Sequence, residues 1–482
     1  WLQPLAMLCG VIMLSAISHV TLSTEERPFL TVKRSISPSL AWAWLLATVI
    51  ADTVFCAAQF ALGEGAVRQN LGFELPPFII TGTFFVVSLS LIWLSTGKGK
   101  AAGIIENVLK ALVAVVVLAF MGVVVTLAAK GAIPWSELFA GFIPDPSALF
   151  RPTDSFAVIL DQMGGTEQVY WQTYLLDQQR DVIITAFGTA VGINMTFLLP
   201  YTLLKRGWGK KDRELSRFDL GFGLFLPFIL ATSFLVIASA SQFHARTGDV
   251  FLDDGSIATS AQASYVKIID ARLKTLEIPT DGAETSITLA EEKLSESERD
   301  LAAMLVKRDA KALASSLEPF LGKAAQPIFG IGVLAMALST MLVHMMMNGY
   351  AIGEAFGKHG NRTVFFIGAS LPAIAGFFSP VLWAGSSKAA LAVPASVIAT
   401  SLLPIAYLAF LLLMNSRSAL GDELPKRRGL VNLLLIFATG MASFGSIWVL
   451  LNKGTPGLIG LGALGLLAAF GIFGFIRRSN AA

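Results

Sequence analysis

Small and polar residues interrupt one otherwise apolar stretch of the chain, residues 182–206, with the sequence VIITAFGTAVGINMTFLLPYTLLKR. About 20 helical residues cross a bilayer, so the stretch is long enough to span one. Glycine loosens a helix and proline removes a backbone donor, and carbonyls freed at membrane depth face a cavity or a ligand. The pattern predicts a broken helix at a transporter's binding site; the alternative is a packing helix whose small residues admit a neighbour. The interrupting residues are Gly188, Thr189, Gly192, Asn194, Thr196 and Pro200.

Ionisable side chains inside other apolar segments are the second group that could do chemistry. Each costs free energy at membrane depth unless it is paired or hydrated. Asp52 lies inside an apolar run, and we interpret it as a proton carrier, an ion ligand or the partner of a cation. Glu106 and Lys110 are one helical turn apart, which favours a local ion pair at the interface. His344 lies one turn before Asn348, and a hydrogen-bonded packing role is favoured over a ligand role.

The composition indicates an all-α polytopic membrane protein. Hydrophobic residues make up 54% of the 482 residues and charged residues 14%. The two cysteines, Cys9 and Cys56, lie in apolar runs and form neither a disulfide framework nor a CxxC metal motif. Eleven segments are long and apolar enough to span a bilayer. The predicted spans are roughly 2–20, 40–62, 76–95, 105–129, 182–203, 218–241, 326–350, 363–384, 390–414, 429–451 and 456–476.

The loop charges predict an orientation. Most Lys and Arg residues of the short loops fall on one side of the predicted spans, and the positive-inside rule makes that side cytoplasmic. The C-terminus is then cytoplasmic, and the protein is a multi-pass protein of the inner (plasma) membrane. The chain opens at Trp1 within an apolar run, so we expect missing upstream sequence rather than a signal peptide.

The largest polar piece, residues 242–325, lies on the side opposite the basic loops. We expect three parts: membrane helices over 1–241, including the interrupted helix 182–203; a partly helical, extracytoplasmic soluble insert over 242–325; and membrane helices over 326–482. We interpret the insert as a solvated cap with one or two surface helices, and partner binding is the alternative. Apolar residues at near-helical spacing in it are Leu294, Leu301, Leu305 and Leu313.

Several motifs of other membrane proteins are absent from the sequence. It has no GxxxxGK[ST] phosphate loop, no HExxH or GxSxG motif and no TVGYG filter. No nucleophile and base can be paired, so we expect neither an enzyme nor a bound cofactor. Nucleic acid is not an expected partner.

Taken together, the segments resemble the Nramp family of divalent-metal transporters, which shares the LeuT-type inverted repeat. The apolar run around Asp52 resembles the family's third helix and its aspartate, and GIIENVLKALVAVVV resembles the fifth, with Glu106 on the family's glutamate. The sixth helix of the family is similar to GTAVGINMTFLLPYTLL, and the eighth to LGKAAQPIFGIGVLAMALSTMLVHMMMNGYAIGEAF. A later run, LLPIAYLAFLLLMNSRSALGDELPKRRGLVN, is similar to another family segment, with Asn432 on its last asparagine.

The resemblance implies a LeuT-like inverted-repeat fold with eleven transmembrane helices in this chain. The family's first helix, with its Asp-Pro-Gly-Asn motif, would lie before Trp1. A divalent metal would be the transported substrate, the bilayer the surroundings, and the protein a monomer.

Two departures from the family pattern bear on the metal. The family's Met-Pro-His is replaced by Gly192-Ile193-Asn194, as in Nramp-related magnesium transporters, which also lack this methionine. Without the thioether, carbonyl and amide oxygens suit magnesium, calcium or manganese. The missing histidine, and Phe55 in place of an acidic partner, weaken the case for proton coupling.

The expected function is a secondary transporter that imports magnesium, or else manganese, by alternating access. A carrier of an amino acid or other organic solute, or a non-transporting scaffold or sensor, are the alternatives. Asp52 and Glu106 are expected on a proton or coupling route. The expected metal site comprises Gly192, Asn194, Thr196 and Thr189.

Overall fold

The structure, a computed structural model, describes residues 1–95, 101–248, 250–252, 255–308, 310–383 and 392–479. Within these ranges every regular element longer than one residue is a helix, and one isolated antiparallel bridge joins Phe251 and Ile257.

The first half of the chain contains helices α1 to α11. They are α1 (Leu2–Thr24), α2 (Pro28–Ser35), α3 (Pro38–Gly65), α4 (Pro77–Ser95), α5 (Ala101–Ala129), α6 (Trp135–Ala140), α7 (Ala157–Asp161), α8 (Gly165–Ala190), α9 (Ile193–Lys205), α10 (Arg213–Phe218) and α11 (Leu226–Phe243). A π-helical turn continues α3 over Ala66–Asn70, and another joins α10 to α11 over Asp219–Phe225.

The second half of the chain contains helices α12 to α23. They are α12 (Thr259–Thr275), α13 (Ala283–Lys293), α14 (Glu296–Met304), α15 (Ala310–Ser315), α16 (Glu318–Leu321), α17 (Ala325–Ala355), α18 (Arg362–Phe377), α19 (Ser379–Leu382), α20 (Ala392–Leu413), α21 (Arg417–Leu420), α22 (Arg428–Leu451) and α23 (Gly454–Ser479).

Eight helices of the described ranges are long and apolar enough to cross a membrane. Two shorter apolar helices, Ala114–Ala129 within α5 and Arg362–Phe377, fall on two further predicted spans. The remaining predicted span, 182–203, is divided between α8 and α9. Within the residues that the structure describes, each of the eleven predicted spans therefore falls mainly on helical residues.

Helix α3 lies at the centre of the bundle and belongs to two apolar cores. On one side Trp44 of α3 packs between Phe197 of α9, at 4.9 Å between ring centroids, and Phe410 of α20, at 5.2 Å. On the other side Phe60 packs with Phe84 of α4 and with residues of α17 and α18. This shared position explains how a residue halfway along α3, such as Asp52, comes to be fully buried.

A glycine lets α8 approach α20 closely. A Cβ atom at Gly188 would lie 2.8 Å from the carbonyl oxygen of Ser396 and 2.9 Å from the amide nitrogen of Thr400. Only a residue without a side chain fits this distance, as is usual where membrane helices touch backbone to backbone. Gly188 therefore fixes the position of the last turn of α8.

The insert packs around the outer half of α8. This helix begins at Gly165, well before the predicted span, because the polar run before residue 182 is helical too. Trp171 of α8 is fully buried in a separate apolar core with Leu273 of α12 and Leu301 of α14. The insert helices thus bury part of the leucine pattern, and one helix connects their core to the interruption between α8 and α9.

The end of the bundle with the basic loops, called here the basic end, is held by a buried carboxylate. Glu354 of α17 accepts hydrogen bonds from Arg27 at 2.6 Å and from the Tyr201 hydroxyl of α9 at 2.7 Å. The ring of Tyr201 also stacks on Tyr350, with 4.9 Å between centroids. Helices α9 and α17 are therefore locked together at this end.

Candidate functional site

The interruption between α8 and α9 is two residues long. Val191 and Gly192 are extended, with φ/ψ of −139°/92° and −69°/164°. The last carbonyls of α8 therefore lack the amide partners that a continuing helix would supply. The end of a helix also carries partial negative charge, which stabilises a nearby cation.

Asn194, in the first turn of α9, joins two other helices through its side chain. Its Nδ2 lies 3.1 Å from His344 Nδ1 of α17, and His344 Nδ1 lies 3.0 Å from Asp52 Oδ1 of α3. The Asn194 Oδ1 atom accepts a hydrogen bond from the Met195 amide at 3.0 Å. All three side chains of this Asp52–His344–Asn194 cluster are buried.

The two contacts of His344 Nδ1 depend on the imidazole tautomer. His344 Nδ1 cannot donate to Asp52 and accept from Asn194 at the same time. A proton on Nδ1 satisfies the carboxylate, and a lone pair there accepts from the Asn194 side-chain amide, so the two hydrogen bonds are alternatives. Nε2 has no hydrogen-bond partner among the described residues. The Phe55 ring stacks on the imidazole, 5.6 Å between centroids, and holds its plane.

A cavity of about 340 Å³ adjoins the interruption and the cluster. Its polar lining consists of Gln59, Asn194, Thr340 and His344, and no Lys or Arg side chain is among the described residues that line it. The Thr340 hydroxyl is already bonded to the Met336 carbonyl. The amides of Asn194 and Gln59 and the imidazole of His344 are therefore the side chains that can donate to a ligand or accept from it, whereas the Thr340 oxygen can only accept.

Two buried oxygen atoms near the cavity lack hydrogen-bond donors within the described ranges. They are Asp52 Oδ2, behind the cluster, and Gln59 Oε1, in the cavity wall. Leaving such atoms unpaired costs about 1–3 kcal/mol each in a folded protein. A cation or its bound water in the cavity would satisfy Gln59 Oε1, whereas an anion would not; Asp52 itself does not line the cavity.

Two thioethers line the cavity, although the sequence reasoning placed none there. Met195 follows Asn194 directly, and Met347 lies one turn after His344 on α17. The resemblance points only to Gly192 as the position of the family's methionine. Space beside Gly192 is not open either, because a Cβ atom there would lie 2.5 Å from Asn194 Oδ1.

The other predicted site residues have different outcomes. Thr196 is fully buried away from the cavity; its hydroxyl accepts from Trp44 Nε1 at 2.9 Å and donates to the Ile193 carbonyl. It therefore joins α9 to α3 and is not a ligand in this arrangement, because its oxygen is used for packing. The side chains of Thr189 and Glu106 lie outside the described residues.

The described residues contain no group of three or more His, Cys, Asp and Glu side chains that could hold a metal. A metal in this cavity would depend on amide and carbonyl groups beside Asp52 and His344.

Solved structures share the fold: a histidine-to-alanine mutant of the Eremococcus coleocola manganese transporter matches with a TM-score of 0.62 and 15% identity, covering 99% of this chain and 88% of that chain. The same transporter in complex with an aromatic bis-isothiourea substituted compound matches with a TM-score of 0.62, 14% identity and coverage of 99% and 88%.

The sequence itself decides the family. It matches the natural resistance-associated macrophage protein-like, or Nramp, family over residues 1–264 and 300–452. The chain belongs to the Nramp family. No curated protein matches it by sequence.

Membership confirms several expectations. This Nramp chain has the LeuT-type all-helical fold and is a multi-pass membrane protein that transports divalent metal. It is a transporter rather than an enzyme, and the metal is its substrate rather than a cofactor. The run that resembles the family's sixth helix covers the last turn of α8 and most of α9.

His344 is the main site residue that the sequence reasoning undervalued. A histidine among methionines is more often a packing residue, and nothing in its own segment named a partner. The available signal was the absence of the family's histidine at Asn194, because a histidine on a neighbouring helix can supply the same imidazole. Gln59 also gave a signal: it is a polar residue in an apolar run, and it lies two turns after Asp52 on the same face of α3.

Proposed function

We propose that this Nramp protein imports a hard or borderline divalent cation, magnesium or manganese, by alternating access at the interruption between α8 and α9. The observation that carries the proposal is the meeting of Asn194, His344 and Asp52 beside a cavity with unpaired oxygen atoms. An organic solute with a carboxylate would require a cation or free amides. The cavity offers no Lys or Arg within the described residues, and the Met195 amide is already bonded to Asn194.

Oxygen donors favour magnesium and manganese over softer metals. Asn194 Oδ1, Gln59 Oε1 and the carbonyls at the end of α8 are hard ligands, and magnesium keeps part of its water shell. The imidazole of His344 is a borderline ligand and favours manganese over magnesium. Met195 and Met347 supply soft sulfur at the wall, which makes the discrimination against cadmium weaker than the sequence suggested. The two solved structures compared above are those of a manganese transporter, which favours manganese as the substrate to test first.

The arrangement supports an outward-facing state. Cavity residues of α3, such as Ala58 and Leu62, lie after Asp52, towards the insert, and Thr340 of α17 lies before His344 on the same side. The basic end is closed by the contacts of Glu354 with α9 and the loop after α1. If the basic end is cytoplasmic, as the loop charges predict, then release inwards requires Tyr201 to leave Glu354.

Asn194→Ala tests the site. It removes the side chain that joins the interruption to His344, so uptake of manganese and magnesium by the complete protein in proteoliposomes should fall about tenfold or more. Thr196→Ser is the matched control on the same helix, because it keeps the hydroxyl bonded to Trp44. Uptake by Asn194→Ala at the wild-type rate would remove Asn194 from the site.

Selectivity is tested by competition. Manganese uptake should be reduced by excess magnesium, and cadmium should have little advantage over manganese. Strong cadmium uptake that persists in a large magnesium excess, together with acidification of the lumen, would overturn the hard-ion proposal. Gly192→Met is a poor test, because its side chain would collide with Asn194.

A further inference from the structure

A second cleft, of about 710 Å³, lies at the basic end and is separate from the metal cavity. It is formed between α1, the start of α10, and α22 with the loop that precedes it. None of its lining residues lines the cavity at the interruption. Its rim is charged, with six Lys or Arg side chains and three Asp or Glu side chains among the described residues.

Part of the rim is neutralised internally. Glu423 pairs with Arg213 at 2.7 Å and with Lys210 at 3.4 Å, and Glu214 pairs with Arg217 at 2.6 Å. These pairs hold the loop before α22 against α10 and leave the other charges free to act on a ligand.

Three cations of the rim remain unpaired. Lys211, Lys426 and Arg427 are exposed and have no ion-pair partner among the residues that the structure describes. One further carboxylate, Asp422, lies at the same rim. The unpaired part of the rim is therefore positive, which attracts an anion.

The floor of the cleft is apolar and continues away from the charges. Leu434 of α22 and Val11 of α1 lie about two helical turns, or roughly 12 Å, from Arg427 and His19 at the basic end. Leu430 is 52% exposed and Leu434 40% exposed. The cleft is therefore open sideways along a helix face that the bilayer covers in a membrane protein.

We propose that this cleft binds one anionic phospholipid, with its phosphate among Lys211, Lys426 and Arg427 and an acyl chain along the floor formed with Val431 and Leu434. A free anion would use the charges but not the apolar floor. A zwitterionic lipid would use the floor but gain little from three unpaired cations. Basic pockets between membrane helices select anionic headgroups for this reason, and Arg427 can bind phosphate oxygens through two N–H groups.

The test uses the full chain in detergent, mixed with phosphatidylglycerol or with phosphatidylcholine of the same acyl chains, and native mass spectrometry to measure retained lipid. Wild-type protein should retain phosphatidylglycerol preferentially. The triple variant Lys211→Ala, Lys426→Ala and Arg427→Ala should bind it about tenfold more weakly or worse. Val431→Trp keeps every charge but fills the floor, and it should also weaken binding.

The matched control removes three other exposed cations of the basic end: Lys33→Ala, Lys358→Ala and Arg477→Ala. It lowers the net charge equally and should leave binding unchanged.

An equal loss in this control would show diffuse surface attraction and overturn the proposal. Equal retention of phosphatidylcholine would overturn it too. Displacement of the lipid by inorganic phosphate, with normal binding by Val431→Trp, would make the cleft a free-anion site and also overturn it. Unchanged melting temperatures identify which variants are folded. The double variant Lys211→Arg and Lys426→Arg keeps both positive charges and should bind the lipid normally.

Discussion

Two buried carboxylates of this Nramp protein differ in how many of their oxygen atoms accept hydrogen bonds. In the insert, Glu298 Oε1 accepts from Arg272 Nε at 2.7 Å and from Trp171 Nε1 at 3.0 Å, and Oε2 accepts from the Ser295 amide at 3.1 Å. In the membrane, Asp52 has one oxygen on His344 and its other oxygen without a donor in the described part of the chain. Both carboxylates are almost completely inaccessible to solvent.

The difference separates a structural charge from a functional one. A buried carboxylate whose two oxygens are both satisfied by protein groups fixes one arrangement and has no capacity left for a ligand. A buried carboxylate with an unsatisfied oxygen costs stability, and that cost is expected where a cation or proton binds in turn. The insert network therefore serves folding, whereas we propose that the Asp52–His344–Asn194 cluster serves transport.

The largest expected effect follows from removing the charge of Glu298. Glu298→Gln keeps the shape and the capping box with Ser295 but leaves Arg272 buried without an anion. Breaking one side of a buried ion pair costs about 3–5 kcal/mol. The insert should melt at a clearly lower temperature and be cut faster by protease, and uptake should fall with the folded fraction.

Glu296→Gln is the control for that variant, because Glu296 is exposed in the first turn of the same helix. It should change the melting temperature little. If Glu298→Gln is as stable as Glu296→Gln, the buried pair does not hold the insert together and the comparison fails on its structural side.

The opposite outcome is expected at Asp52. Asp52→Asn removes a buried charge that the protein only half satisfies, so the melting temperature should stay the same or rise. Uptake should fall about 10- to 100-fold, as is common when a group behind a metal ligand is changed. The order of preference among metals should stay as in the wild type, because Asp52 acts through His344 and Asn194.

Two variants sharpen the result for Asp52. His344→Gln interrupts the same hydrogen-bond chain and should reduce uptake similarly, while Thr340→Ala lies in the same cavity and should have little effect. A changed order of metal preference in Asp52→Asn would make Asp52 a ligand. A large loss of stability in that variant would make the carboxylate structural, like Glu298.

The fold was accessible from the sequence because hydrophobic segments and loop charges are local properties. Each predicted span needed only about 20 consecutive residues. The packing of the insert was harder to predict, because its core joins α8 to helices about a hundred residues later in the chain. Nothing in the sequence around Trp171 indicates which residues pack against it. The predicted span began only at residue 182 for the same reason: the buried face of the polar stretch before it is visible only with the insert helices present.

The site was accessible only in part. The small residues near Gly192 marked the interruption, because glycine and a lost helical hydrogen bond are visible in one segment. The roles of Thr196 and His344 depend on contacts between helices. Thr196 accepts a hydrogen bond from Trp44, and His344 contacts both Asp52 and Asn194. Residue type alone ranked Thr196 above His344, whereas in the structure His344 lines the cavity and Thr196 does not.

A smaller effect is expected at the cavity wall. Met195→Leu keeps the volume and removes the sulfur, so the ratio of cadmium to manganese uptake should fall by about threefold or less if oxygen atoms dominate the site. Met346→Leu is the matched control, because Met346 does not line this cavity. A loss of cadmium uptake far beyond that, with manganese uptake unchanged, would make Met195 a ligand and the site a soft one.

The smallest effect is expected at a carboxylate that is only partly buried, Glu423 beside Arg213 on the basic end. The hydrogen bond and charge of Arg213 hold the pKa of Glu423 below its ordinary value of 4.5. Because the folded-state pKa is the lower one, the pair stabilises the protein fully above pH 4.5 and loses that contribution as the pH falls through the folded-state value. Glu423→Gln should therefore lower the melting temperature slightly near neutral pH, less so in high salt, and the two curves should converge in acid. A gap that persists or widens in acid would mean that Glu423 stabilises the loop by a contact other than this pair.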